Sequence, residues 1–341
     1  MKAAVIEQRQ QPLQVREVPD LDKPGPDEVL IEVGAAGVCH TDLHIQDGLF
    51  TDIGIDVFPV VPGHETAGIV QQIGPEVTHL KPGDRVAVYW IYPCGHCRFC
   101  LAGEEQACVK YLPTLDANGF QRQGGYATHM KIPASHALLI PDDLAMEDAA
   151  PLLCGGLTVY AGLKNAGLRP SQRVAVLGVG GLGHLAIQIA RAMGAEVIAA
   201  TTSEGKAELS MRLGANDVVV GSATIGEQLR ALGGVDVILS STLDAASIAG
   251  AMQGLKPLGT LVLTGLTADT VPVTPMALAF AQHRIVGSLI GSRRDTMELL
   301  QLAAHHRIKP MIERFPLDSV NEAFARLRNN DIRFRAVLLP T

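Results

Sequence analysis

The first half of the chain alternates short apolar runs with turn residues. Ala3-Ala4-Val5-Ile6 and Leu13-Gln14-Val15 read as brief strands. After the Pro24-Gly25-Pro26 turn, Val29-Leu30-Ile31-Glu32-Val33 makes a fuller one. Gly34 to Gly37 then lead into Val38-Cys39-His40-Thr41-Asp42-Leu43-His44, a polar segment that starts a helix. Residues 68–73 and 84–88 add two strands around the turn Lys81-Pro82-Gly83-Asp84. Turns this frequent predict a β-rich, partly closed barrel up to about Leu153.

Beyond Gly155 the pattern changes. Arg173-Val174-Ala175-Val176-Leu177 is a compact apolar strand, a helical stretch follows from His184 to about Met193, and Glu196-Val197-Ile198-Ala199-Ala200 is the next strand. Further strands are expected at 218–220, 235–239, 260–263 and 284–288, with helices between them, including 245–255. Such alternation predicts a parallel, doubly wound sheet. The tail carries helices near 296–305 and 320–328 and a last strand at 335–338, and the pattern alone does not place it.

A chain of 341 residues exceeds one ordinary core, so two domains are expected. The net charge of −7 argues against nucleic acid or an anionic membrane as a partner. No apolar run reaches spanning length and the N-terminus has no signal-peptide core, so a cytoplasmic protein with reduced cysteines is expected.

Four of the six cysteines, Cys94, Cys97, Cys100 and Cys108, lie within fifteen positions, and Cys39 and Cys154 are left. Four crowded thiolates can close a tetrahedral shell around structural zinc, and an iron–sulfur cluster also suits them. Gly178-Val179-Gly180-Gly181-Leu182-Gly183 sits between an apolar strand and a helix, the context of a dinucleotide fingerprint. Where an NAD-binding chain places a carboxylate on the ribose, this one has Thr201-Thr202-Ser203, with Lys206 a little further on. Hydroxyls and a cation accept a 2′-phosphate that a carboxylate repels, which favours NADP over NAD, although Glu204 is close and no Arg is present.

Gly63-His64-Glu65-Thr66-Ala67-Gly68, followed by Gly74 and Val77, resembles the zinc signature of the medium-chain alcohol dehydrogenases. The resemblance runs over nearly the whole chain. It implies that Cys39, His64 and Cys154 fill three tetrahedral corners of a catalytic zinc, the fourth being left for water or substrate. A Lewis acid is what the chemistry needs, since hydride leaves an alcohol carbon readily only from the alkoxide. Glu65 then either ligates when the substrate site is empty or stands behind the ligands, and Asp42 matches the carboxylate that orients the histidine. Thr41 and His44 match a proton relay running from the alcohol by way of the ribose hydroxyls to solvent. His40 and Arg335 match pyrophosphate contacts, Thr158 a residue against the nicotinamide ring, and Trp90 a bulky pocket position for which core packing is an equal reading.

The resemblance also resolves the four-cysteine lobe as structural zinc, which makes two zinc ions per chain. It implies a GroES-like catalytic domain from residues 1–154 and 292–341, a Rossmann domain at 155–291, a small alcohol or aldehyde as substrate, and a homotetramer. Another zinc dehydrogenase of the same fold, acting on polyols, or a nucleotide-binding redox sensor are the alternatives. The preserved Cys39, His64 and Cys154 count against the sensor.

Overall fold

The structure is a computed structural model and describes residues 1–340. The chain divides into two compact units: Met1–Cys154 joined by the tail from Gly291 onward, and Gly155–Ile290.

The first unit is β-rich. Its strands are β1 Lys2–Val5, β2 Gln14–Glu17, β3 Glu28–Val38, β4 Glu65–Ile73, β5 Arg85–Val88, β6 His129–Pro133 and β7 Ala137–Leu139. β1 and β2 form an antiparallel pair, and β3 is the centre of the larger sheet. It is longer than its sequence suggests, because residues 34–37 stay in the strand instead of leaving it. The physical reason is pairing: β4 covers one edge throughout, while β6 covers the other edge along residues 28–32. Irregular register at Leu30/Ile31 and Val33/Ala35 keeps β3 and β4 paired past the glycines.

The second unit holds β8 Arg173–Leu177, β9 Glu196–Thr201, β10 Asp217–Val220, β11 Val235–Ser240, β12 Leu255–Leu263 and β13 Arg284–Gly287. All pairs are parallel, in the order β10-β9-β8-β11-β12-β13. This is the doubly wound order, whose direction reverses beside the first strand, β8. Ile198, Ile238, Leu261 and Leu229 are among the fully buried residues of its core. The turn after β8 is made by glycines with separate tasks. Gly178 has φ +92°, and a Cβ on Gly183 would lie 1.9 Å from the Gly178 carbonyl oxygen. That close approach lets helix Gly183–Ala192 start directly off the strand, burying Leu185, Ile187 and Ile189.

The tail returns to the first unit, adding β14 Ile312–Pro316 and β15 Arg335–Leu339. β15 pairs antiparallel with β3 along residues 36–38, the part of the edge that β6 leaves open. Helices Arg293–His306 and Val320–Arg328 precede each of these strands. Among the described residues, no helix is long and apolar enough to cross a membrane.

Candidate active site

Three stretches of the first unit meet at Asp42. Helix His40–Asp47 begins after Cys39, and Asp42, in its first turn, accepts the Cys39 backbone N–H at 2.9 Å. The same carboxylate accepts the Gly63 N–H at 3.3 Å and the Tyr126 hydroxyl at 2.8 Å. Its Oδ1 stands 3.4 Å from Nδ1 of His64, both side chains being fully buried. Gly63 is at φ +96°, and a Cβ there would come within 2.4 Å of the Tyr126 ring, so only glycine allows this approach. The next residues enter β4, which sets Glu65 opposite Gly37 of β3. A Cβ on Gly37 would strike the Glu65 carboxylate at 2.0 Å.

Ligand atoms of Cys39, His64, Glu65 and Cys154 all lie within 4.8 Å of one another. The two sulfurs are 4.0 Å apart, close to the roughly 3.8 Å edge of a tetrahedron with 2.3 Å metal–sulfur bonds. Nε2 of His64 and one oxygen of Glu65 are buried without a hydrogen-bond partner. Orphaned polar atoms of this kind need a partner, and the donor set of thiolates and imidazole is that of zinc. The residues fit the metal.

Electrostatics agree. The Cys39 thiolate accepts from the Cys154 thiol, which holds Cys39 well below the ordinary thiol range and pushes Cys154 above it. Burial raises the Glu65 carboxyl to about 7 against the pull of Arg335. Burial works against a charge on His64, yet the Asp42 carboxylate outweighs it and lifts the imidazole. Two thiols and two carboxyls share this dry space with one guanidinium, that of Arg335, which is ion-paired to Glu65. A dication is the charge such a site accommodates.

The second cluster is Cys94, Cys97, Cys100 and Cys108, again with all ligand atoms within 4.8 Å. The Cys97 and Cys100 sulfurs are 3.5 Å apart and those of Cys94 and Cys100 3.9 Å. The Cys97 thiol is drawn down to about 6, first by a hydrogen bond from the Cys100 backbone. Between these cysteines, Glu105 accepts the Arg293 backbone N–H at 2.9 Å and its Nε at 2.7 Å. The lobe is thereby tied to the start of helix Arg293–His306.

Elsewhere, Thr41 Oγ1 lies 3.6 Å from the Cys39 sulfur, His44 is half-buried, and His40 is exposed at the helix start. Trp90 is buried, donates its indole N–H to the Leu153 carbonyl at 3.0 Å, and sets its ring 4.9 Å from that of His64. Arg335, expected at a pyrophosphate, is buried against Glu65. In the second unit, Gly178, Gly180, Gly181, Leu182 and Gly183 form the loop after β8. Thr158 donates to the Leu289 carbonyl from helix Gly155–Asn165. Thr201 ends β9 buried, its hydroxyl accepting the Ser203 N–H at 3.2 Å, with Thr202 and Ser203 exposed and Lys206 half-buried after them. Sequence reasoning missed Tyr126, Glu105 and Phe120, whose ring lies 5.8 Å from that of His64 and stacks on Trp90 at 6.0 Å. For Tyr126 the signal was the preceding pair Gly124-Gly125, which marks a close backbone approach.

Two family models match the chain: "Alcohol dehydrogenase GroES-like domain" over residues 25–142 and "Zinc-binding dehydrogenase" over residues 181–305. An alcohol dehydrogenase of Geobacillus stearothermophilus is 40% identical over 99% of both chains. NADP-dependent alcohol dehydrogenase C 1 of Mycolicibacterium smegmatis is 38% identical, covering 92% of this chain and 90% of the relative. Among solved structures, a cinnamyl alcohol dehydrogenase from Sorghum bicolor superposes with a TM-score of 0.87 at 30% identity, over 99% of this chain and 97% of the other. With both models matched and a relative this similar along its full length, the chain belongs to the zinc-type medium-chain alcohol dehydrogenase family.

Proposed function

We propose that this alcohol dehydrogenase uses two zinc ions per chain and prefers NADP. Cys39, His64 and Cys154 hold the catalytic ion, with Glu65 beside them, and Cys94, Cys97, Cys100 and Cys108 hold the structural one. The observation that carries this reading is the buried imidazole of His64, whose Nε2 has no partner, beside two thiols at tetrahedral spacing. When bound, zinc lowers the pKa of the alcohol hydroxyl and the nicotinamide accepts the hydride.

The chain's own residues do the rest. Asp42 orients His64, and Thr41, beside Cys39, takes the hydroxyl proton. His44, half-buried on the same helix, passes the proton towards water. Gly178, Gly180 and Gly183 admit the pyrophosphate to the start of helix Gly183–Ala192. Thr158 lines the nicotinamide and Trp90 the substrate pocket. Thr201, Thr202, Ser203 and Lys206 accept the 2′-phosphate, a reading supported by the missing carboxylate and by the NADP-dependent relative.

A cytoplasmic homotetramer completes the reading. Its support is that Met276, Phe280, Ile285 and Leu289 of the second unit are exposed and apolar, which suits self-association. Metal analysis and initial rates test the proposal. Two zinc ions per chain and a higher kcat/KM with NADP are expected for ethanol, a longer primary alcohol or a secondary alcohol. One zinc per chain removes the second metal site from the proposal, and preference for NAD removes the cofactor assignment. Light scattering after gel filtration tests the tetramer.

A further inference from the structure

We infer that Tyr126 is a positioning residue that acts through Asp42 on His64, and so on retention of the catalytic metal. The inference rests on the proposal that Cys39, His64 and Cys154 hold zinc. A carboxylate offers about four acceptor positions, two on each oxygen. On Asp42, Oδ2 accepts the Cys39 N–H at 2.9 Å and the Tyr126 hydroxyl at 2.8 Å, and Oδ1 accepts the Gly63 N–H at 3.3 Å. The remaining position, on Oδ1, faces Nδ1 of His64 at 3.4 Å. An imidazole that donates from Nδ1 presents Nε2 as its ligand atom. Three donors from three separate stretches therefore aim a single carboxylate lone pair at a single ring nitrogen.

Tyr126 is held firmly enough to do this. Its backbone N–H donates to the Pro62 carbonyl at 3.0 Å, and the Gly125 N–H donates to that of Gly63 at 2.7 Å. Its ring lies over Gly63 and meets Phe324 edge-on, with centroids 6.1 Å apart. The phenol is also 3.2 Å from the Gly37 carbonyl, but it has one proton, and the charged acceptor at 2.8 Å takes it. Without that bond Oδ2 keeps only the Cys39 N–H. The carboxylate can then rotate, Oδ1 leaves its line to Nδ1, and the imidazole loses its fixed orientation. Tyr126 touches no ligand atom in this scheme; it works one bond further out than Asp42.

Tyr126→Phe removes the hydroxyl and keeps the ring. Purified enzyme loaded with zinc is mixed with a chromophoric chelator, and release of each ion is followed against wild type. The variant should lose one of the two ions about tenfold faster, the lower end for loss of an outer hydrogen bond to a ligand, with release of the other unchanged. The visible bands of the cobalt-substituted enzyme should shift. In an Asp42→Asn background, Tyr126→Phe should add nothing further.

Wild-type release rates and unshifted cobalt bands overturn the inference, as does parallel loosening of both ions, which indicates general destabilisation. An undiminished effect of Tyr126→Phe in the Asp42→Asn background overturns the route through Asp42. A wild-type chain that yields one zinc overturns the two-metal proposal and this inference together, whereas two zincs with unchanged release overturn the inference alone.

Discussion

Thr41 Oγ1, the one side-chain hydroxyl on helix His40–Asp47, lies 3.6 Å from the Cys39 sulfur. Thr41→Ala should slow alcohol oxidation by about a hundredfold or more, the lower end for acid–base catalysis, whereas Thr41→Ser should be mild. His44→Gln should cost less, and most at low pH, where water and hydroxide replace the imidazole poorly. Steady-state rates across pH check both, and equal rates for Thr41→Ala and wild type would remove the relay. Glu65 illustrates a different constraint at this scale. Its carboxylate fits only because Gly37 has no side chain and because Arg335 returns from the far end of the chain to pair with it.

Two elements carry separable tasks. The four-cysteine lobe is tied to helix Arg293–His306 by the Glu105–Arg293 pair, so the ion proposed for it should act on stability. Cys97→Ala should lower Tm by roughly 5 °C or more, the shift that ~2 kcal/mol produces in a domain of this size. Cys39→Ala should instead abolish turnover with the fold retained. Differential scanning fluorimetry beside activity distinguishes them, and an unchanged Tm for Cys97→Ala with lost chemistry would exchange the two roles. In the loop after β9, Thr201→Asp places a charge a few ångströms from the proposed 2′-phosphate, a repulsion of up to about 4 kcal/mol before screening. We expect KM for NADP to rise at least tenfold and preference to move towards NAD. Lys206→Ala should weaken NADP and leave NAD nearly unchanged. If Lys206→Ala treats both cofactors as wild type does, the NADP assignment fails.

Stability of the whole molecule should depend on His136. Its imidazole is buried, stacked 4.4 Å from the Tyr92 ring, and bonded through Nε2 to the Ile91 carbonyl at 3.1 Å. Burial first, and then the Arg293 guanidinium, depresses it to about 4. In the unfolded chain it titrates near its ordinary value of about 6.5, so between those pH values the unfolded state binds more protons. Its contribution is therefore complete above about pH 6.5 and is lost as pH falls towards 4, roughly 3 kcal/mol over the window. His136→Gln should lower stability at pH 7 and reduce the difference from wild type steadily towards pH 4.5. Denaturant midpoints at several pH values read this, and a constant difference across the range would exclude the linkage.

What the sequence determined by itself is what local pattern and spacing can encode. Residues 173–177, the glycine run and helix 183–192 are contiguous, so the parallel sheet and the glycine turn after its first strand were legible there. The clustered cysteines were legible for the same reason. Resemblance singled out Cys39, His64 and Cys154, whose sequence separation conceals that they meet. Tertiary structure decided the rest. β3 runs through four residues that read as its end, because β4 and β15 supply hydrogen bonds that no local propensity announces. β6, β7 and β14 are short strands that exist through their partners. Tyr126 looked like one more aromatic beside a glycine pair, and Arg335 like a cofactor contact. Only packing sets the first on Asp42 and the second on Glu65, across 84 and 270 positions of chain. Bonds over such distances depend on the closed fold, since their geometry belongs to no single segment.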